Sequence, residues 1–421
     1  MKDRLLAICA CIMILMVVCQ IGVCLSGLSS ALGGLDFRTF YSAGHMVRSG
    51  QADQIYDILS EKRVQDALVA PRPEALPFFN PAYAVVPFIL LSLLSYKVAY
   101  FVFFALNFTM TVLAAAAVQP YLSSIAGIWE GLPTFLFLCF FPVGFALREG
   151  QMSLIVLLLY CACFAASQAS RPFVAGVLLA LALIKFQIAL PIALLLLAWR
   201  CWRFVGGFAC GAVALGATSL WITGMRGLSD FGHSIVSYTV SSTTTVARSQ
   251  MASMPNIYGF FYSISNGAHW GGILTVICSS LLLLWAIFQR PSVPLALLVG
   301  ILVSYHFYQY DLSLLLLPIS LTLNKMVALF VSGASGSPHS KRFSFRSWSS
   351  AAAIFLCALL LVPPVYILLM LTGRVYLLAC PVAALLFCLS AIGDDESGFA
   401  LPQNELRQRR DEGVTPVYNG S

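Results

Sequence analysis

Residues 172–199 have the sequence PFVAGVLLALALIKFQIALPIALLLLAW, in which Lys185 is the single charged residue. Apart from Lys185 and Gln187 the stretch is almost wholly apolar. A helix on the surface of a soluble protein would carry a polar face, and this stretch has none. It therefore predicts two membrane-embedded helices, at 172–184 and 186–199, that are joined by a turn at Lys185.

The composition of the whole chain supports the same interpretation. Of its 421 residues, 60% are hydrophobic and 10% are charged, whereas soluble domains carry about 25% charged residues. This excludes a soluble enzyme, a disordered protein and a fibrous protein. The net charge of +7 is spread over short loops and the chain ends, so it indicates membrane orientation and no nucleic-acid partner is expected.

Apolar segments recur along the chain. An anchor helix is predicted over Leu5–Leu28, because a helix needs roughly 20 apolar residues to cross a bilayer. Further segments lie at 98–118, 132–147, 152–167, 172–184, 186–199, 203–222, 271–288, 292–304, 311–328, 348–371 and 373–392. The fold prediction is an all-α polytopic membrane protein with about twelve spans and both chain ends in the cytoplasm. Pro81–Leu94 is too short to be counted and is predicted to be a re-entrant or interfacial helix.

The predicted topology places a membrane domain over residues 1–393. This domain includes two external loops, at 29–77 and 223–270. Residues 394–421 form a polar cytoplasmic tail. Within the first loop, helical apolar spacing predicts short helices on the membrane surface. The 13 cysteines lie mostly in apolar runs and form no CxxC pair, so neither a disulfide framework nor a zinc site is expected.

Ionisable and polar side chains at membrane depth are costly, and they usually mark function. In this topology a set of them shares the external side: Asp36, Asn80, Arg148, Glu149, Gln151, Lys185, Gln187, Asn256, His306, Tyr310 and Asp311. Structural explanations stay open at this point. Asp36 could cap a helix, Lys185 could extend to the interface, and Arg148 with Glu149 could be a surface ion pair.

The order of motifs resembles glycosyltransferase family 87, which includes polyprenol-phosphate-mannose-dependent α-mannosyltransferases of the GT-C superfold. The resemblance covers about residues 1–325. It rests on Asp36-Phe37-Arg38-Thr39-Phe40-Tyr41, Ile55-Tyr56-Asp57, Phe79-Asn80-Pro81-Ala82, Leu147-Arg148-Glu149-Gly150-Gln151, Ile184-Lys185-Phe186-Gln187 and His306 through Leu312. These motifs occur in order on one predicted side of the membrane.

The resemblance implies an inverting glycosyl transfer with Asp36 as the general base and His306 as a second catalytic residue. The donor would be a polyprenyl-phosphate hexose, with mannose as the best expectation, and the acceptor a hydroxyl of a lipid or glycan. Substrate-binding residues would be Arg38, Tyr41, Asn80, Arg148, Glu149, Gln151, Lys185, Gln187, Asn256, Tyr310 and Asp311. No cofactor or divalent metal is expected, since these residues show no local metal-ligand spacing.

The expected location is the plasma (inner) membrane, with a monomeric multi-pass protein whose active site faces the extracytoplasmic side. Two other function classes stay open from sequence. A transporter or flippase of lipid-linked sugars would also have about twelve spans, although inverted repeats typical of such proteins are not visible. A polysaccharide polymerase or ligase would use a diphosphate-linked donor.

Overall fold

The computed structural model describes residues 11, 13–22, 35–73, 76–240, 251, 253–334 and 344–392. The α-helices are α1 (Met13–Gly22), α2 (Phe37–Arg48), α3 (Ile58–Leu68), α4 (Val86–Leu91), α5 (Tyr96–Val118), α6 (Ser123–Ala126), α7 (Leu132–Cys139), α8 (Phe141–Glu149), α9 (Ser153–Gln168), α10 (Pro172–Leu181), α11 (Phe186–Ala198), α12 (Trp202–Val240), α13 (Ile257–Ile264), α14 (His269–Ile287), α15 (Val293–Val303), α16 (Leu316–Ala334), α17 (Ser344–Leu361), α18 (Pro363–Leu371) and α19 (Ala379–Ile392). Short 3₁₀ turns lie at Ala52–Gln54, Ala82–Val85, Gln119–Tyr121, Ala182–Lys185, Gln309–Leu315 and Val375–Leu378.

The helices are those of a polytopic membrane protein, as predicted. Five helical runs among the described residues are long and apolar enough to cross a membrane, or seven if each of two bent pairs is one span. The five runs are Tyr96–Tyr121, Pro172–Ala198, Trp202–Val236, His269–Ile287 and Gln309–Phe330. The segments predicted at 152–167, 292–304 and 373–392 form helices shorter than 18 residues. The figure of twelve spans therefore stays a prediction.

Proline explains both bent pairs. α7 and α8 meet at an angle of 57°, and Pro142 is the second residue of α8. α17 and α18 meet at 63°, where Pro363 and Pro364 open α18. Proline has no amide hydrogen and disfavours a helical residue before it, so a helix ends there and the next begins in a new direction.

The chain reverses at Lys185, as the sequence predicts. The carbonyl oxygen of Phe204 lies 2.0 Å from the position that a Cβ on Gly176 would take. The carbonyl oxygen of Phe173 lies at the same distance from the position that a Cβ on Gly207 would take. α12 begins directly after α11, so its first turns reach α10 only if α11 runs back alongside α10. The run Pro172–Ala198 is therefore a hairpin of two short helices, with Lys185 at its tip.

The segment predicted to be the first external loop, together with Pro81–Leu94, contains the predicted short helices, and we call it the first external segment. α2 covers the predicted interval Phe40–Val47, α3 covers the predicted interval Ile55–Leu68 from Ile58 onward, and Pro81–Leu94 is indeed a short helical element. Its helix α4 packs so closely on α2 that a Cβ at Gly44 would lie 2.3 Å from Phe88 O. Aromatic side chains fill the space between α2, α4 and α5; they include Phe37, Phe40, Phe88, Tyr100 and Phe103.

The second external loop is more helical than predicted. A span was expected to end at residue 222, but α12 continues to Val240. Its direction changes at Gly224, whose φ of 68° is outside the helical range. Residues 226–240 carry too few apolar side chains for a membrane span, so the sequence predicts a loop there. Residues 241–250 lie outside the described residues.

Two other predicted regions are only partly described or not at all. Of the anchor helix over Leu5–Leu28, the structure describes Cys11 and α1. The polar tail, residues 394–421, lies outside the described residues.

One end of the bundle gathers the polar side chains. Tyr100 in α5 donates a hydrogen bond to Arg148 O, and Asn107 donates one to Gln151 O. Asn80 Nδ2 donates to Ile184 O at 3.0 Å, beside the tip of the α10–α11 hairpin. These contacts place the first external segment, the α8–α9 junction and the hairpin tip together, at what we call the site end.

Candidate functional site

A cavity of about 390 Å³ lies at the site end. Its wall includes the predicted residues Asp36, Asn80, Glu149, Gln151, Lys185, Gln187, His306 and Tyr310. Thus eight side chains that lie far apart in sequence share one cavity. The prediction that they lie on one side of the molecule is consistent with this arrangement.

Asp36 lies at the N-terminus of α2 and faces the cavity. Its Oδ2 accepts a hydrogen bond of 2.5 Å from Gln151 Nε2. Burial raises the pKa of Asp36 above its usual range, while Gln151 and Lys185 act in the opposite direction. A carboxylate with a raised pKa is a stronger base than an exposed one, provided that it is ionised.

Gly150 allows Gln151 to reach Asp36. It ends α8 in the left-handed conformation, with φ of 63°, which glycine adopts without strain. A Cβ on Gly150 would also lie 2.7 Å from the Cβ of Phe37, the residue after Asp36. The Glu149-Gly150-Gln151 motif therefore combines a tight backbone turn with a close approach to the start of α2.

Glu149 contributes a second carboxylate to the cavity wall. Its carboxylate interacts electrostatically with the backbone amide of Asp36, so the last residue of α8 lies near the start of α2.

Lys185 is the one lysine or arginine among the described residues that line the cavity. Its Nζ lies 3.0 Å from Asp311 Oδ1 and 4.9 Å from the centre of the Tyr310 ring. The Lys185 side chain is 6% exposed and that of Asp311 is 0% exposed. We call Asp36, Gln151, Lys185 and Asp311 the cavity cluster.

His306 lines the cavity with a ring that is neutral at physiological pH. Burial, followed by the positive charge of Lys185, lowers the pKa of His306 to about 4. Its ring contacts Tyr308 edge-on at 4.7 Å, and its backbone oxygen accepts a hydrogen bond from Gln187 Nε2. A neutral imidazole can donate or accept a hydrogen bond but gives no positive charge for a phosphate.

Arg38 does not reach the cavity, contrary to its predicted role as a substrate-binding residue. Its guanidinium is buried and donates to Gln65 Oε1 at 3.1 Å, Ala70 O at 2.6 Å and Asp66 Oδ1 at 2.7 Å. Because Arg38 follows Asp36 by two residues on a helix, its side chain leaves on another face. We call Arg38, Gln65 and Asp66 the loop clamp.

Four more predicted substrate ligands lie outside the cavity wall, and three of them have structural contacts. Tyr41 donates a hydrogen bond to Leu94 O. Asn256 Oδ1 accepts a hydrogen bond from Gly259 N and so caps the start of α13, and Asn256 Nδ2 donates to Ser304 O at 2.6 Å. Asp311 lies behind Lys185 instead of facing the cavity. Arg148 shares α8 with Glu149 but is absent from the wall among the described residues.

Sequence reasoning missed the phenylalanines of the wall, which include Phe79, Phe145 and Phe186. Tyr310 and Phe145 are nearly parallel, at 15° and 6.3 Å between ring centres. A signal was available, because Phe79 and Phe186 stand directly beside Asn80 and Gln187. Both phenylalanines are apolar, so they do not stand out among the ionisable side chains of the sequence. Aromatic rings in such a wall offer apolar faces to a bound ligand.

Residues 76–80, which we call the strap, close one side of the cavity and are held by α2 and α3. Leu76, Pro77, Phe79 and Asn80 of the strap line the wall, and Thr39 of α2 donates a hydrogen bond to Leu76 O. In α3, Gln65 Nε2 donates a hydrogen bond to Leu76 O, and Gln65 Oε1 accepts one from Leu76 N. Glu61 accepts a hydrogen bond of 3.0 Å from Phe78 N. The loop clamp thus supports the cavity without entering it.

No group of three or more His, Cys, Asp or Glu among the described residues is arranged to hold a metal ion.

Comparison with known proteins gave one match. The model of a family described as Glycosyltransferase family 87 matches residues 78–318. The matched segment contains Asn80, Gln151, Lys185, His306 and Asp311 and begins after Asp36. No curated protein and no solved structure matches the chain.

Proposed function

The chain belongs to glycosyltransferase family 87, whose model covers more than half of its length, and we propose that this membrane enzyme transfers a hexose from a polyprenyl-phosphate donor. Mannose is the proposed sugar, and the acceptor is a hydroxyl of a lipid or glycan. Membership of a glycosyltransferase family decides against the transporter and flippase interpretations. The finer assignments are supported by the cavity and by the motif resemblance.

The observation that carries the proposal is the pairing of a carboxylate with a single cation on one cavity wall. Asp36 is held by Gln151, and Lys185 is held by Asp311. Transfer from a sugar phosphate needs a base for the acceptor proton and a positive group where the leaving phosphate gains charge. Both requirements are met without a general acid, because the phosphate leaves as a stable anion.

The proposed reaction is a single displacement. The acceptor oxygen attacks the anomeric carbon, and its proton passes to Asp36. The bond between that carbon and the phosphate oxygen breaks, and the oxygen keeps the electron pair beside Lys185. Since attack and departure occur on opposite faces of the sugar, the anomeric configuration inverts.

A monophosphate donor suits the cavity better than a diphosphate donor. Lys185 is the one lysine or arginine that the described residues bring to the wall, whereas His306 is neutral. Both kinds of leaving group gain one negative charge on departure, but a diphosphate carries a larger total charge, so a single ammonium compensates a smaller share of it. This supports a polyprenyl-phosphate transferase over a diphosphate-dependent polymerase or ligase.

The site end is proposed to face the extracytoplasmic side. The opposite end of the α10–α11 hairpin carries Arg171, Arg200 and Arg203. Trp199 Nε1 bonds Ala286 O at that end, which brings Arg290 nearby. Positive residues mark the cytoplasmic side of a membrane protein, and the cavity lies at the other end.

The experiment is transfer of label by the purified protein in lipid nanodiscs. Polyprenyl-phosphate and polyprenyl-diphosphate forms of labelled mannose, glucose and galactose are offered with membrane lipid acceptors, with and without a chelator. The proposal expects label transfer from the monophosphate donor and a product of inverted configuration. Transfer from the diphosphate series alone, or retention of configuration, would overturn it.

A further inference from the structure

Asp311 connects three separate parts of the chain through one buried carboxylate. Its Oδ1 accepts a hydrogen bond of 2.6 Å from Ser153 and lies 3.0 Å from Lys185 Nζ. Its Oδ2 accepts a hydrogen bond of 3.1 Å from Tyr308 N. Ser153 opens α9, Lys185 forms the hairpin tip, and Tyr308 belongs to the loop that carries His306.

Lys185 has two carboxylates within reach of its charge. It forms an ion pair with Asp311, whereas no ion pair of 4.0 Å or less joins it to Asp36 among the described residues. Its charge nevertheless acts on Asp36 through space. The ammonium therefore sits near Asp36 while its contact is with Asp311.

A lysine buried in this way requires an anionic partner, because an unpaired ammonium in an apolar interior is strongly disfavoured. If Asp311 lost its charge, Asp36 would be the next carboxylate available to Lys185. A direct ion pair would occupy the oxygen atoms that must receive the acceptor proton. It would also make Asp36 a weaker base, because an opposite charge in contact favours the ionised form.

We propose that Asp311 is a positioning residue that holds the Lys185 ammonium away from Asp36, so that one group serves the leaving phosphate and the other serves the acceptor. This rests on the proposed function, since it assigns a role to the base and to the phosphate-binding lysine. It replaces the predicted role of Asp311 as a substrate ligand.

The same carboxylate also supports Gln151. Ser153 follows Gln151 by two residues, and its hydroxyl donates to Asp311. Gln151 in turn donates to Asp36. Asp311 therefore contacts the start of α9 close to the glutamine that holds Asp36.

The test is the pH dependence of kcat in Asp311→Asn. The groups that face Asp36 are Gln151, Lys185, Tyr310, Asp311 and Glu149, and His306 shares the cavity. Activity rises with pH as the base loses its proton, which gives an acid limb. In Asp311→Asn the negative charge of Asp311 is gone and Lys185 contacts Asp36, so both effects lower the pKa of Asp36. We expect the limb to move down by about one pH unit, with a plateau about 10- to 100-fold lower.

Two variants separate positioning from a purely structural effect. Ser153→Ala removes a hydrogen bond to Asp311 but keeps every charge, so its acid limb should stay at the wild-type position. Asp311→Glu restores the negative charge, and its limb should return toward the wild-type position. An unmoved limb in Asp311→Asn, or an equal movement in Ser153→Ala, would overturn the inference.

The Lys185→Met background decides the matter even if Asp311→Asn alone fails to fold, because Lys185→Met is then compared with the double variant that carries both changes. With Lys185 absent, Asp311→Asn leaves no unpaired buried ammonium. Since Asp311 acts through Lys185, the second change should reduce kcat by less than about threefold in that background. A reduction of 10-fold or more there would mean that Asp311 acts on the substrate directly and would overturn the inference.

Failure of the proposed function gives a different result. If Asp36 is not the base, the residual activity of Asp36→Asn keeps the wild-type acid limb. If the limb belongs to Asp36 but is unchanged in Asp311→Asn, the proposed function stands and the positioning role of Asp311 is wrong.

Discussion

The loop clamp and the cavity cluster both pair a buried cation with an acidic side chain, yet they differ in what lies beside them. Arg38 has its hydrogen bonds directed into the protein, to Gln65, Ala70 and Asp66. Lys185 is also buried and paired, but its other side faces a cavity of about 390 Å³. Burial and charge thus occur in both regions, and the cavity alone separates a candidate site from a structural support.

The comparison predicts opposite responses to removal of each cation. Breaking a buried ion pair is strongly destabilising because it leaves a partner without compensation. In the loop clamp this should affect stability and leave chemistry intact. In the cavity cluster it should affect the transfer reaction as well.

Arg38→Met should give the largest loss of stability. The variant removes three hydrogen bonds from a side chain that is 0% exposed, while Asp66 is 26% exposed. We expect a loss of about 2 kcal/mol, because Ala70 O loses its buried donor, whereas Asp66 keeps its ion pair with Lys62. Thermal unfolding in detergent measures it, with the exposed Arg63→Met as the control. Transfer activity per folded molecule should stay within about threefold of wild type; a 100-fold loss would place Arg38 in the reaction.

Of the two variants that remove a buried cation, Lys185→Met should lose more activity than Arg38→Met. Without the ammonium, the leaving phosphate lacks its stabilising charge, and kcat/KM for the donor should fall at least about 100-fold. Steady-state transfer at varied donor concentration measures this, with the exposed Lys97→Met as the control. An unchanged donor dependence would refute the phosphate role and remove the distinction between the two regions.

Gly150→Ala should have an intermediate effect that is specific to the junction between α8 and α2. The left-handed backbone would be strained by about 1–3 kcal/mol, and the new Cβ would lie 2.7 Å from Phe37 Cβ. Displacement of Gln151 from Asp36 should lower kcat about 10-fold. Gly50→Ala is the matched control, because Gly50 has φ of 79° but open space around its missing Cβ. Equal activity in both variants would contradict the positioning of Asp36 through Gln151.

His306 should make the smallest contribution, visible in the pH dependence of stability. Its pKa is about 4 in the folded protein and 6.5 as an ordinary histidine. Between these values the unfolded chain binds more protons, so stability falls as pH drops from about 6.5 to 4. His306→Asn should flatten that fall in thermal unfolding scans, whereas the exposed His269→Asn should not. An equal slope in wild type and His306→Asn would mean that the ring is solvated.

The sequence predicted the fold where apolarity decides it. Lys185 interrupts an apolar stretch and marks a real reversal, and the short helices of the first external segment follow their apolar spacing. It did not predict that α12 continues to Val240, because residues 226–240 lack the apolarity of a span. It also could not show that the bundle helices at 132–147 and 348–371 bend, although Pro142, Pro363 and Pro364 stand at the breaks.

For the site, the sequence identified the polar residues but not their directions. Asp36 and Arg38 are two residues apart, and only the helix α2 shows that the first faces the cavity and the second faces α3. The direction of Asp311 cannot be predicted from the sequence either. Its charge is visible there, but its contact with Lys185 depends on the conformation of the preceding loop. Membrane burial restricts the set of candidates, and long-range packing then chooses among them.

The most direct test of the account is a single-turnover comparison of Asp36→Asn with Asp53→Asn. Both remove a carboxylate from the first external segment, but only Asp36 lines the cavity. With enzyme in excess over labelled polyprenyl-phosphate mannose, we expect Asp36→Asn to slow transfer by about 10²- to 10⁴-fold with donor binding retained, and Asp53→Asn to react at the wild-type rate. Transfer by Asp36→Asn within threefold of wild type would contradict the account.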